Sequence, residues 1–203
     1  VVTGRRARTR FAVYLIPPYQ VALAVAEIHR MLRKQFGFLA AGQFPVHATI
    51  KGFFKKTPGG LETLIQRLDE ALATQRPFPV HFCGLRRDKL GISLDISCLG
   101  EGPNPEMVAM RNRVLGAVGP FIAPDCDFSG EDADQPFAAH ITLAFRDIPT
   151  AMQDEVLDYL QDAPLPSDPF IADTFHFLQF HSQDWQGDWP QSLSWRLLRT
   201  WRV

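Results

Sequence analysis

The chain has 203 residues, 46% of them hydrophobic and 11% aromatic against 21% charged. That composition can bury the core of one ordinary domain or of two small lobes, and it excludes an intrinsically disordered segment. Lys+Arg 21 against Asp+Glu 22 leaves a formal charge of −1, which excludes the pervasive basic surface of a protein that grips long duplex nucleic acid but leaves room for a local phosphate site.

The basic start, VVTGRRARTRF, is followed by AVYLI, too short for the apolar core of a signal segment. No apolar run approaches the roughly 18 residues a membrane helix needs, so no membrane association is expected. Residues 10–16 read as a first strand that stops at Pro17-Pro18. Apolar residues at Val21, Val25, Ile28, Leu32 and Phe36 predict a helix over 18–36, ended by Gly37. A β-like run over 46–54 follows, then the break Pro58-Gly59-Gly60 and a second helical stripe, Leu61, Leu64, Ile65, Leu68 and Leu72. Residues 78–86 and 89–98 flank the charged pair Arg87-Asp88 and read as a hairpin.

After the punctuation from Gly100 to Pro105 the order repeats. A helix is predicted over 104–118, a polar loop over 119–136, a strand over 137–145 and a helix over 150–161. Two strands, about 170–182 and 192–202, close the chain around the loop DWQGDWPQ. Each half therefore reads helix, loop, short strand, helix, hairpin. This repeat of pattern predicts an α+β protein of two pseudo-symmetric lobes, about 10–100 and 101–203. Cys83, Cys98 and Cys126 are odd in number and lack metal-type spacing. A reduced, cytoplasmic protein, acting as a monomer, is the expectation.

Each short strand carries His-x-Thr before an apolar residue: His47-Ala48-Thr49-Ile50 and His140-Ile141-Thr142-Leu143. Alternation along a strand puts His47, Thr49 and Lys51 on one face, and His140, Thr142, Ala144 and Arg146 on one face of the other. Brought together by a pseudo-two-fold, these faces set two imidazoles and two hydroxyls across a groove. An imidazole titrates near neutrality, so one can act as base and its partner as acid on opposite sides of a phosphorus atom. The hydroxyls can hydrogen-bond the non-bridging oxygens.

These paired motifs, about ninety residues apart, and the closing strands HFLQFHSQ and SWRLLRTWRV resemble the 2H phosphoesterase superfamily, the 2′-5′ RNA ligase-like proteins and cyclic phosphodiesterases. The resemblance implies a bilobal, duplicated α+β fold, with two antiparallel sheets flanking a central cleft and helices outside. It also implies hydrolysis of 2′,3′-cyclic or related cyclic or 2′-5′ phosphodiesters without a metal or other cofactor, and a possible reverse 2′-5′ ligation. The substrate would be a small nucleotide or an RNA end bearing a cyclic phosphate, and the catalytic positions would be His47, Thr49, His140 and Thr142. Lys51 stands where many first motifs carry a basic residue. In the second motif Phe145 intervenes before Arg146, a departure from the family's usual spacing. The alternative reading is a non-catalytic module that binds nucleotides or RNA ends in the same cleft.

Tyr14, Phe53 and Trp185 are candidates for stacking a base, Trp185 and Trp189 as exposed loop aromatics. His29, His81, His176 and His181 lack a threonine two positions on and read as structural, with His181 near enough to the last loop to line the cleft. The acidic stretch from Asp125 to Asp134 lacks calcium-loop spacing and reads as a surface loop, and RRARTR as a solvated tail.

Overall fold

Residues 9–126 and 137–203 are described by the computed structural model; most of the acidic stretch and Arg5–Arg8 lie outside them. Strand β1 (Thr9–Ile16) is apolar almost throughout and buried along most of its length. Pro17 and Pro18 end it, and helix α1 (Tyr19–Phe36) starts directly after Pro18. Its stripe Val21, Val25, Ile28 and Leu32 is buried, and Gly37 closes it at φ 81 with its N–H on the Arg33 carbonyl, a left-handed cap glycine adopts without strain.

Strand β2 (Ala48–Phe54) and helix α2 (Leu61–Leu72) follow. Next come β3 (Phe78–Val80), β4 (Gly84–Asp88), β5 (Gly91–Asp95) and the two-residue strands β6 (Cys98–Leu99) and β7 (Gly102–Pro103). Helix α3 (Pro105–Val118) is capped by Asn104, whose side chain accepts from the Met107 N–H, and Pro105 suits its first turn. Strand β8 (His140–Phe145), helix α4 (Gln153–Gln161), β9 (Phe170–Ala172), β10 (Thr174–His181) and β11 (Ser194–Arg202) complete the chain.

Seven strands form one sheet in the order β11-β10-β1-β2-β8-β5-β4, and every pairing in it is antiparallel. It consists of a four-strand and a three-strand half that meet at a single residue pair, Ala48 and Ile141 of β2 and β8. The two expected sheets are these halves, joined at their inner edges. The repeat of helix, strand, helix and hairpin is present, but the halves of the sheet are not the halves of the chain. Hairpin β4–β5 of the first repeat pairs with β8 of the second, and hairpin β10–β11 of the second pairs with β1. A lobe boundary near Gly100 therefore does not divide the sheet, because each repeat gives its hairpin to the other.

The helices pack on one face of the sheet. Val25, Ile28, Leu64, Leu68, Met110, Val114, Val156 and Leu160 join Val13, Ile50, Leu94, Ile141 and Phe177 in one apolar core. The opposite face carries a smaller cluster, Ala12, Tyr14, Leu178 and Phe180, covered by Trp185 and Trp189 from the last loop.

The first hairpin turns later than its charged residues suggest. Its turn is Lys89-Leu90, so Gly84 pairs with Asp95 and Arg87 and Asp88 sit in the strand. Phe78–Val80 leaves this hairpin and pairs with β9 instead. The two-residue shift in the turn brings Cys83 to the mouth of the hairpin, its N–H on the Asp95 carbonyl, where it is disulfide-bonded to Cys98. The expectation of three reduced thiols is thus corrected; Cys126 stands outside the disulfide, its sulfur accepting from the Lys55 N–H at 3.1 Å. None of the described helices is long and apolar enough to cross a membrane.

Candidate active site

The antiparallel pair Ala48–Ile141 lies at the centre of the site. Both side chains point into the core, so the residues that flank them face the other way. Antiparallel register then sets Thr49 across from His140, and His47 across from Thr142, as cross-strand neighbours. All four line one cavity of about 440 Å³, together with His29, Lys51, Phe53, Phe145, Arg146 and Trp189 among others. The structure therefore brings the two His-x-Thr motifs together.

Alternation holds from His47 to Ile50, with His47 and Thr49 reaching the cavity while Ala48 and Ile50 are in the core. Two register shifts against β1 then break it: Lys51, expected beside Thr49, pairs with the core residue Val13, and Phe53 lines the cavity while Phe54 is in the core. Along the second motif it breaks as well. The register between β5 and β8 shifts between Ile92 and Ser93, so Leu143 has no partner in the ladder and the face inverts after Thr142. Ala144, expected beside Thr142, is buried in the core, and Phe145 takes the cavity side instead. Arg146 regains the cavity because its φ is 61, a left-handed conformation no other described non-glycine residue adopts. Its N–H bonds the Leu90 carbonyl, and its guanidinium lies 5.5 Å from the Trp189 ring centroid. The extra residue before Arg146 is thus compensated by a bulge and a turn.

His47 is held on two sides. Its Nδ1 lies 2.7 Å from the Pro45 carbonyl oxygen, which can only accept, so Nδ1 carries the proton and Nε2 has the lone pair. Tyr14 stacks on its ring at 3.6 Å between centroids and 18° between planes. Its pKa is lowered to about 4, chiefly by burial and in smaller part by the charges of His140 and His29, against the opposing bond to Pro45. His47 is therefore a neutral imidazole at pH 7. His140 repeats the arrangement, its Nδ1 2.9 Å from the Ala138 carbonyl, two residues upstream as in His47. It has one further neighbour: Arg86 Nη2 lies 2.9 Å from the same Nδ1.

Tyr14 belongs to the packing of this site rather than to a base platform. It is almost fully buried, and burial pushes its phenol above the ordinary range. Trp185 is likewise buried rather than exposed. It packs on Phe53 and Trp189, with Arg10 over its ring, and it is not part of the cavity wall. Trp189 is the loop aromatic that reaches the cavity. The loop is drawn tight beneath it: Ser182 Oγ donates to the Trp189 carbonyl, and Asp184 Oδ1 accepts from the N–H groups of Gln186 and Gly187. Lys51 is almost fully buried and its ammonium lies 5.9 Å from the Phe54 ring centroid.

His29 of α1 reads as structural in the sequence, yet it is a third imidazole of the cavity. Its Nε2 donates to the Thr142 carbonyl at 3.0 Å, tying α1 to the second motif, and burial lowers its pKa. Nothing local marks it, since its partner lies 113 residues away. His181 does not line the cavity. Among the described residues there is no group of three or more His, Cys, Asp or Glu suited to holding a metal ion.

A family model described as the 2′-5′ RNA ligase superfamily matches residues 17–184. No curated protein matches. Among solved structures, the fold is similar to TT0787 of Thermus thermophilus, with a TM-score of 0.61 at 18% identity over 95% of this chain and 97% of that one. It is also similar to E. coli LigT in apo form (0.57, 14% identity, 96% and 97% covered). LigT complexed with 3′-AMP gives 0.54 at 13% identity, with 97% and 98% covered.

Proposed function

The chain belongs to the 2′-5′ RNA ligase superfamily, a branch of the 2H phosphoesterases, and on that premise we propose that it is a metal-independent phosphodiesterase acting on 2′,3′-cyclic or related phosphodiesters of small nucleotides or RNA ends. The observation that carries this reading is the pairing of His47 and His140 across Ala48–Ile141, each opposite the other motif's threonine, in one cavity. Two imidazoles on either side of a phosphorus atom supply what in-line displacement needs. One takes a proton from the attacking water as its oxygen bonds to phosphorus. The other gives a proton to the ribose oxygen as the P–O bond breaks, leaving a phosphomonoester on the 2′ oxygen.

Thr49 and Thr142 donate to the non-bridging oxygens, and Arg146 on the cavity wall offsets the negative charge that the substrate brings, with Lys51 adding positive charge from behind the wall, where its ammonium lies by Phe54. A cavity of about 440 Å³ suits a nucleotide or a strand end, not a duplex. Phe145, Phe53 and Trp189 give it an aromatic wall against which a base can stack. LigT, which shares the fold, has been crystallised with 3′-AMP and with phosphate, which supports a nucleotide phosphate as occupant here.

The test is turnover of a panel of 2′,3′-cyclic nucleotides, with the position of the product phosphate read by phosphorus NMR. Wild-type protein treated with EDTA is expected to form a 2′-monophosphate, and His47→Ala and His140→Ala to lose about 10²- to 10⁴-fold in kcat/KM. Full activity in either variant would remove the two-histidine mechanism. Tight binding without turnover would make the protein a nucleotide-end binding module.

A further inference from the structure

The two motif histidines differ in one respect that the pseudo-symmetry does not explain. His47 Nδ1 faces a carbonyl. His140 Nδ1 faces a carbonyl and a guanidinium at the same distance, 2.9 Å. The guanidinium is Arg86 of β4, two strands away from His140. It lies on the cavity side of the sheet with Asp88, Ser93 and Asp95: Arg86 pairs with Ser93, and Asp95 with His140.

Arg86 is fixed before it reaches the imidazole. Its Nε donates to Asp88 Oδ1 at 2.9 Å, and its Nη1 lies 3.5 Å from Asp95 Oδ2. Asp88 is held in turn by Ser93 Oγ, which donates to Oδ2 at 2.6 Å, and Asp95 by the Ser97 N–H and hydroxyl. A planar fork anchored at two carboxylates has little freedom in its remaining nitrogen. Ser93, the residue the side chain passes over, is small enough to let it cross β5.

We propose that Arg86 is a positioning residue that sets the tautomer of resting, neutral His140, placing its proton on Nε2, whereas His47 carries its own on Nδ1. A guanidinium has no lone pair and can only donate. A hydrogen bond from Arg86 Nη2 requires the lone pair of the neutral ring on Nδ1, which leaves the proton on Nε2. The opposite tautomer would turn an Nδ1–H against an Arg86 N–H across 2.9 Å. The Ala138 carbonyl, 2.9 Å from the same Nδ1, then accepts from Arg86 Nη2 at 3.4 Å instead of from the ring.

His47 is the complement, with its proton on Nδ1 and a lone pair on Nε2. The other charged and titratable groups around His140 are Asp88 and Asp95 beside Arg86, His47 next to β2, His29 on α1, and Lys51 and Arg146 at the cavity wall. The expected effect on turnover rests on the phosphodiesterase reading; the tautomer itself does not.

Histidine ¹⁵N–¹H correlation spectra of the resting protein test it directly. In wild type, His140 is expected to show a pyridine-like Nδ1 and a protonated Nε2, and His47 the reverse. In Arg86→Met, His140 should switch to a protonated Nδ1, and kcat should fall about 10- to 100-fold with KM little changed. A protonated Nδ1 on neutral His140 in wild type overturns the proposal, and that spectrum decides even where Arg86→Met does not fold. An unchanged tautomer in a folded Arg86→Met overturns it as well. Opposite tautomers in a protein that turns over no phosphodiester would uphold the role of Arg86 in setting the tautomer and defeat only the phosphodiesterase reading.

Discussion

Tyr14 lies flat on His47 and so prevents the imidazole from rotating away from the Pro45 carbonyl. Stacking and burial together keep His47 neutral far below the pH at which a free histidine charges. The acid limb of the kcat/KM profile should accordingly inflect near pH 4 rather than near pH 6.5, since the protonated base is inactive and its pKa in the folded protein is about 4. Tyr14→Ala opens the ring to water and should move that inflection up toward 6.5, while Tyr14→Phe keeps the stack and should leave it in place; steady-state rates from pH 3.5 to 8 distinguish the two. Of these residues, His47, Thr49, His140 and Thr142 are legible in the sequence because period-two alternation needs only neighbours in the chain. Tyr14 stands out there only as an aromatic that could hold a base, and His29 and Arg86 are not legible at all. Their contacts to His47, to the Thr142 carbonyl and to His140 are made across strands or from a helix, and no local pattern encodes them.

Strand β8 shows why element-level reading goes one residue astray. The sequence HITLAFR alternates so regularly that nothing in it announces an unpaired residue. The bulge at Leu143 comes from its partner β5, and from Gly91 in particular. A Cβ at position 91 would stand 1.9 Å from the Ala144 carbonyl oxygen, closer than any real contact. Glycine is required because β5 and β8 touch there backbone to backbone. Gly91→Ala should force the strands apart, lower stability by about 1–3 kcal/mol, and displace Phe145 and Arg146; urea denaturation together with activity measured in the cold checks both effects. The hairpin error has a similar origin. Arg87 and Asp88 look like turn residues, but Asp88 is occupied by Arg86 and Ser93, and Arg87 by Gln153 and Asp154 of α4. Helices are read closely because their caps and stripes are local: α1, α2 and α3 begin and end within a residue or so of the expected positions.

At the scale of the whole molecule, burial lowers the pKa of three histidines, His47, His29 and His176. In the unfolded chain each titrates near 6.5, so the unfolded state binds more protons than the folded one as pH falls from about 6.5 toward 4. Stability is complete above that window and is lost on acidification through it. The loss is up to about 1.4 kcal/mol per pH unit for a fully buried ring such as His47, and less for His176, which water partly screens. Thermal melts at pH 7, 6, 5 and 4 should show a steady fall in Tm. His176→Gln should flatten it slightly without touching the cavity, which His176 does not line. A melt independent of pH over that range would contradict the burial of these rings.

The exchange of hairpins between the two repeats also has a consequence for how the protein is made. A ribosome releases β1, β2 and the β4–β5 hairpin long before β10, which completes the hydrogen bonding of β1 and does not exist until residue 181 has been translated. Throughout that interval one edge of β1 is open, and the loop that brings Trp189 over the cavity is still inside the exit tunnel or yet to be joined. Neither repeat can finish its half of the sheet alone, so a chain released early is no half-enzyme. It is a polypeptide with a bare apolar strand, a substrate for chaperones and proteases.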